Sequence, residues 1–224
     1  MKQLIFVFFL ILNCFNGFSQ TNTEHLNFHL KFGEENIKLH KWYKGEKDTI
    51  QFKTIKFYIS NLKLTKDNSV IYSVPNSYYL INLEDSNSQK ISFNTPEGLI
   101  YSGIEFNLGI DSATNNAGVL GGALDPTNGM YWTWKSGYVN TKIEGISKQC
   151  TARKNQFQFH IGGYKNPFKS FKTITIELKP NQQLTVDFKA LFSELDLQTT
   201  HTIMSPGKNA VDFAELVSTS IYSK

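Results

Sequence analysis

The sequence has 224 residues and a formal charge of +4 with no run of like charge, which argues against a surface built for nucleic acid or an anionic membrane. Once a leader carrying Cys14 is removed, Cys150 is the only cysteine left, so no internal disulfide can form. No phosphate loop, zinc-finger spacing or nucleophile elbow occurs, and no carboxylate pair marks a predicted strand end, so the residues point to a non-enzyme.

Residues 1–20 read as an export signal: Lys2, an apolar run over 4–12, and a small and polar exit over 16–20. The run falls short of the roughly 20 apolar residues that span a bilayer. The expectation is one domain over 21–224, periplasmic or secreted, with no membrane span after signal removal. Residues 26–32 alternate apolar and polar as a half-buried strand, turn at 33–36, and resume the pattern at 37–39. The run over 49–64 exceeds the usual strand of about five or six residues, which predicts a bend or bulge within it. Shorter strands follow at 70–74 and 78–83, then at 90–93 and 99–108 around the 95–98 turn. Turns about every ten residues predict an all-β fold, an antiparallel β-sandwich.

Residues 109–129 hold neither strand nor helix period, and a loop of this length inside a domain is usually functional. Asp111, Asn115, Asn116 and Asp125 in this loop are oxygen donors of the kind calcium takes. Their spacing is not that of an EF-hand, and Asx turns account for the same residues. The loop leads into Met130-Tyr131-Trp132-Thr133-Trp134-Lys135-Ser136-Gly137-Tyr138. Read as the start of a strand running to 143 and stopping at Gly145, it sets Trp132 and Trp134 on one face. Such a pair is a core anchor or a platform for metal or redox chemistry. Residues 156–161 alternate again, with His160 on the face of Gln156 and Gln158, opposite Phe157 and Phe159. Residues 171–178 and 183–188 read as paired strands around Pro180-Asn181. A short helix is expected at 189–195, and a C-terminal amphipathic helix at 209–221, capped by Asn209, with Phe213, Leu216, Val217 and Ile221 along its apolar stripe.

The histidines are His25, His29, His40, His160 and His201. His25 and His29 share a strand face about 13 Å apart, too far for one ion. A metal site would therefore draw on separate strands. His160, ending a strand beside Gly162-Gly163, is the best placed; the alternative is a rim imidazole satisfied by backbone.

The order of segments resembles the MbnP-like family of bacterial copper-binding proteins. The likeness is carried by 28–33, by 55–62, by 103–111, by Phe159-His160-Ile161-Gly162-Gly163 and above all by the tryptophan motif at 130–138. It implies an exported, non-catalytic β protein that binds copper through histidines and a tryptophan oxidised to kynurenine by a partner dihaem enzyme. On this chain it makes Trp132 or Trp134 the residue for oxidation and His160 the first imidazole ligand. His29 and His201, near the ends of predicted elements, come second. Where many relatives carry a histidine after an asparagine in the long loop, this chain has Asn115-Asn116. The alternative is a metal-free envelope module for protein or carbohydrate, with the tryptophan pair as core anchor or contact face.

Overall fold

The computed structural model describes residues 21–178 and 183–223. The expected signal at 1–20, Cys14 and the Pro180-Asn181 turn lie outside them. In chain order the strands are β1 (Thr21–Phe32), β2 (Glu35–Asn36), β3 (Trp42–Lys44), β4 (Thr49–Lys66), β5 (Ser69–Ser73), β6 (Tyr78–Asn82), β7 (Lys90–Pro96) and β8 (Gly103–Leu108). There follow β9 (Tyr131–Trp132), β10 (Gly137–Ser147), β11 (Gln156–Gly162), β12 (Lys172–Glu177), β13 (Gln183–Asp187), β14 (Thr202–Ile203) and β15 (Ile221–Ser223). The helices are α1 (Ser112–Ala117), α2 (Phe188–Ser193) and α3 (Lys208–Thr219).

Among the described residues two sheets form. One runs β15-β13-β1-β2 with β7 also on β1; the other runs β12-β8-β4-β10-β11-β14 and carries β3, β5, β6 and β9 along its length. Their inner faces share one core: Phe28 of β1 meets Phe57 of β4 edge-on at 6.1 Å and Phe106 of β8 at 6.4 Å. The pairing is antiparallel except for β1 with β13 and β11 with β14, which are parallel.

β4 organises the larger sheet. Its inward residues run Ile50 and Phe52, then Ile55, Phe57 and Ile59, then Leu62 and Leu64. The spacing of two slips to three twice, and each slip coincides with a register shift, opposite Glu144/Gly145 and between Ser60 and Lys63. Asn61, at φ +52°, takes the left-handed geometry at the second. These are the expected bulges: each extra residue restores the apolar face that a continuous period of two would turn away from the core.

Several expectations are corrected. β12 and β13 do not pair with each other: β12 joins β8 in the larger sheet, while β13 inserts beside β1 in the smaller, burying Leu184 and Val186. Residues 37–39 form no strand, although Ile37 is buried and its N–H donates to the Leu30 carbonyl. β10 passes through Gly145 to Ser147, because a Cβ there would lie 2.5 Å from the Phe157 ring, so glycine is the seat for that ring. At the C-terminal end, α2 is capped by the Asp187 carboxylate, and α3 starts after Gly207 with no side-chain cap from Asn209. Phe213 of α3 packs 4.6 Å from Phe159 and closes the core. Each such aromatic contributes about 1.5–3 kcal/mol by leaving water.

Candidate functional site

A second, smaller core lies on the outer side of β4 and β10, made by Tyr58, Ile110, Leu124, Met130, Trp132, Tyr138 and Val139. Residues 109–129 form its cover and are not structureless. Asp111 accepts the Thr114 N–H and caps α1, and Asp125 accepts the Thr127 N–H and caps a single 3-10 turn. Six residues of helix are too few to show a period, which is why the segment reads as loop.

The cover is bolted down by Asn115. This buried amide donates to the Ile110 and Asp111 carbonyls at 3.0 and 2.9 Å and accepts the Tyr138 N–H at 2.9 Å. Asp111 also takes the Asn61 amide at 2.6 Å. Burial pushes its carboxyl up, but the bonds from Thr114, Asn61 and Ala113 outweigh burial and hold it below the usual carboxylate range. Burial raises the Tyr58 and Tyr138 phenols, so both stay protonated; Tyr58 donates to the Ala123 carbonyl at 3.1 Å. Asp111, Asn115 and Asp125 thus spend their oxygens on the chain itself, and Asn116 is exposed.

The tryptophans are not on one strand. β9 ends at Trp132, a turn occupies 133–136 with Ser136 at φ +49°, and β10 returns alongside. The two indoles still meet, with ring centroids 5.5 Å apart and tilted by 44°, but the turn brings them together. Their settings differ sharply: Trp132 is 7% exposed and Trp134 is 63% exposed. Trp132 lies over Gly162 of β11, where an added Cβ would come within 2.6 Å of the indole Cζ3 and 2.8 Å of the Tyr138 carbonyl.

His160 shares that face of β11, two residues before Gly162, which is roughly 6.6 Å along the strand. As expected it points outward with Gln156 and Gln158, while Phe157 and Phe159 are buried. Its Nε2–H donates to Glu144 Oε1 at 2.7 Å, and Glu144 also accepts from Thr54 Oγ1 at 3.2 Å and lies 3.8 Å from Lys142 Nζ. The bond from His160, then the charge of Lys142, hold the Glu144 carboxyl below its ordinary range despite burial. A carboxylate on Nε2 orients the ring, and Nδ1 has no hydrogen-bond partner among the described residues. Metal-binding imidazoles are commonly oriented this way, so the donor fits a borderline or soft cation. Sequence reasoning missed Glu144; alternation along β10 sets it outward, but only the β10–β11 register brings it to His160.

The other histidines stand apart. His29 belongs to β1 in the smaller sheet, opposite Thr185, and its Nε2 is buried without a partner beside a cavity of about 290 Å³ lined by Asn36, Lys38, Ser86 and Gln89. His201 gives its carbonyl to the Gln158 N–H; since the next residue, Thr202, pairs with outward Gln158, His201 falls on the opposite face from His160, and its Nδ1 is buried without a partner. Among the described residues no three His, Cys, Asp or Glu side chains gather where one ion could be held. Cys150 is buried, its thiol donating to the Gln156 carbonyl at 3.1 Å. No described helix is long and apolar enough to cross a membrane.

No curated protein matches this sequence. Among solved structures, MbnP from Methylosinus trichosporium matches with a TM-score of 0.60 at 13% identity, over 84% of this chain and 82% of that one, which shows a shared fold. The family model named MbnP matches residues 21–205, from β1 through the hairpin of the paired indoles and the His160 strand to just past β14. By that match across most of its length, the chain belongs to the MbnP family.

Proposed function

We propose that this protein is an exported, non-catalytic copper-handling protein, with His160 Nδ1 as its imidazole donor and the Trp132–Trp134 pair beside it. The observation that carries the reading is the 2.7 Å bond from His160 to Glu144, which orients the ring by its Nε2 and leaves Nδ1 without a hydrogen-bond partner among the described residues. Neutral imidazole suits copper, and family membership supports the choice of metal. When bound, the ion would add a Lewis-acidic, redox-active centre. The chain's own part is to hold the ring through Glu144, which Thr54 and Lys142 brace in turn, with Trp132 packed over Gly162 two residues along the same strand. A partner dihaem oxidase would act on one indole of the pair, and Trp134 is the one open to another protein.

The test is a copper titration of the wild-type protein against Glu144→Gln, which keeps the size of the side chain and removes its charge. Loss of a partner that orients a metal-bound imidazole weakens binding by roughly 10–100-fold. Equal affinity in the two proteins would remove the basis of the reading. A metal-free envelope module is the second reading, favoured by the exposure of Trp134 and Phe168 at one end of the fold. Protein isolated from its own envelope with neither copper nor a change in tryptophan mass would favour it.

A further inference from the structure

We infer that the smaller sheet carries a second binding site, for a small organic carboxylate, in the cavity beside His29. It stands apart from the copper reading, since His29 and the residues around it belong to the other sheet and its loops.

The cavity occupies a gap in the sheet. Asn27 of β1 pairs with Gln183 of β13 and with Lys90 of β7, while Lys31 pairs with Asp187 of β13 and with Asn36 of β2. β7 and β2 therefore share the edge of β1 that β13 does not occupy. One ladder stops at Asn27 and the other begins at Lys31, so residues 28–30 have no strand beside them on that edge, although β1 itself runs on. Two segments diverge there. The single 3-10 turn Ser86–Gln89, which leads into β7, lines the cavity from one side, and the chain leaving β2 lines it from the other with Asn36 and Lys38. This second side is pinned: the Ile37 N–H donates to the Leu30 carbonyl at 2.9 Å, and the Lys38 N–H donates to the Tyr43 hydroxyl at 2.7 Å.

The lining selects the ligand. His29 Nε2 is buried at the cavity without a hydrogen-bond partner, an arrangement that is destabilising unless something polar meets it. Among the described residues the side chains of Asn36, Lys38, Ser86 and Gln89 hold no hydrogen bond or ion pair either. An ammonium, two amides, a hydroxyl and an imidazole nitrogen thus face one space, and no carboxylate lines it. Glu84 and Asp85, next along the chain, turn to the Lys56 ammonium and the Asn87 N–H. A cation finds no partner in such a lining, whereas an anion gains a charge-assisted bond from Lys38 and neutral donors beside it. Leu30 and Leu83 add apolar surface, which favours an aliphatic acid over an inorganic anion. The volume of about 290 Å³ suits a small molecule.

Butyrate is titrated into the full chain at constant ionic strength, with the His29 ring nitrogens followed in a long-range proton–nitrogen spectrum and assigned by their loss in His29→Phe. Butanol and inorganic phosphate are titrated for comparison. Lys38→Met keeps most of the side-chain stem and removes the charge at an exposed position, and its circular dichroism verifies the fold. The expected result is a saturable shift of the His29 signal, with butyrate held roughly tenfold more weakly by Lys38→Met, and butanol and phosphate each at least about tenfold weaker than butyrate on the wild type. A His29 signal that butyrate leaves unmoved would overturn the site, leaving water as what meets Nε2. Equal affinity in Lys38→Met or for butanol would refute the carboxylate, and phosphate binding as tightly as butyrate would refute the organic part of the assignment.

Discussion

Replacing Gly162 by alanine tests how the Trp132 indole is seated. The new methyl would stand 2.6 Å from the indole Cζ3, 3.0 Å from its Cη2 and 2.8 Å from the Tyr138 carbonyl oxygen. Carbon atoms rest about 3.5–4.0 Å apart. The carbonyl is backbone of β10 and is held in the hairpin with β9, so the ring must yield, by roughly 1 Å. Overpacking of this kind costs about 1–3 kcal/mol. For a chain of this size each kcal/mol lowers the melting temperature by about 2–4 °C, giving a loss of roughly 2–12 °C. Thermal melts followed by circular dichroism and by tryptophan emission read both parts: the midpoint falls and emission shifts to the red as Trp132 leaves its 7% exposed seat. Gly121→Ala is the control, since no atom lies within 4 Å of a Cβ there. A Gly162→Ala protein with wild-type midpoint and emission would refute the packing of Trp132 on β11, and with it the neighbourhood of indole and imidazole.

Asn115→Ala removes the bolt between the 109–129 cover and β10, leaving the Tyr138 N–H and the Ile110 carbonyl without that amide. A loss of about 1–3 kcal/mol is expected in urea unfolding, together with faster proteolysis inside the cover. Asp111 is held below the usual carboxylate range when folded, so its contribution is present above its unfolded value near ~3.9 and is lost as pH falls through the folded value. Asp111→Asn should therefore lower stability at neutral pH and flatten the acid limb of a melting-temperature profile; an acid limb as steep as wild type would contradict this.

The strands were legible where the apolar spacing is regular. Even the two bulges of β4 are written as slips from two to three between Phe52 and Ile55 and between Ile59 and Leu62. The tryptophan turn was not legible, because Thr133-Trp134-Lys135-Ser136 offers no glycine, proline or asparagine, and Ser136 takes the left-handed conformation that such residues usually announce. Sheet partnership was also hidden. Adjacent segments β12 and β13 separate into different sheets because their apolar faces find Ile104 and Phe106 in one case and Phe28 and Leu30 in the other, contacts that lie far away in sequence. For the site, alternation found the outward side of His160, but the ring's partner came from cross-strand register. The same register separates His160 from His201 and His29, which sequence position alone had grouped.

Copper content after equilibration and desalting, compared between wild type and His160→Ala, addresses the central claim. The account predicts one copper ion per chain in the wild type and none in the variant, with the circular dichroism of the two metal-free proteins alike, since His160 faces outward and lies outside both cores. Full copper retention by His160→Ala, or none in the wild type, would contradict it.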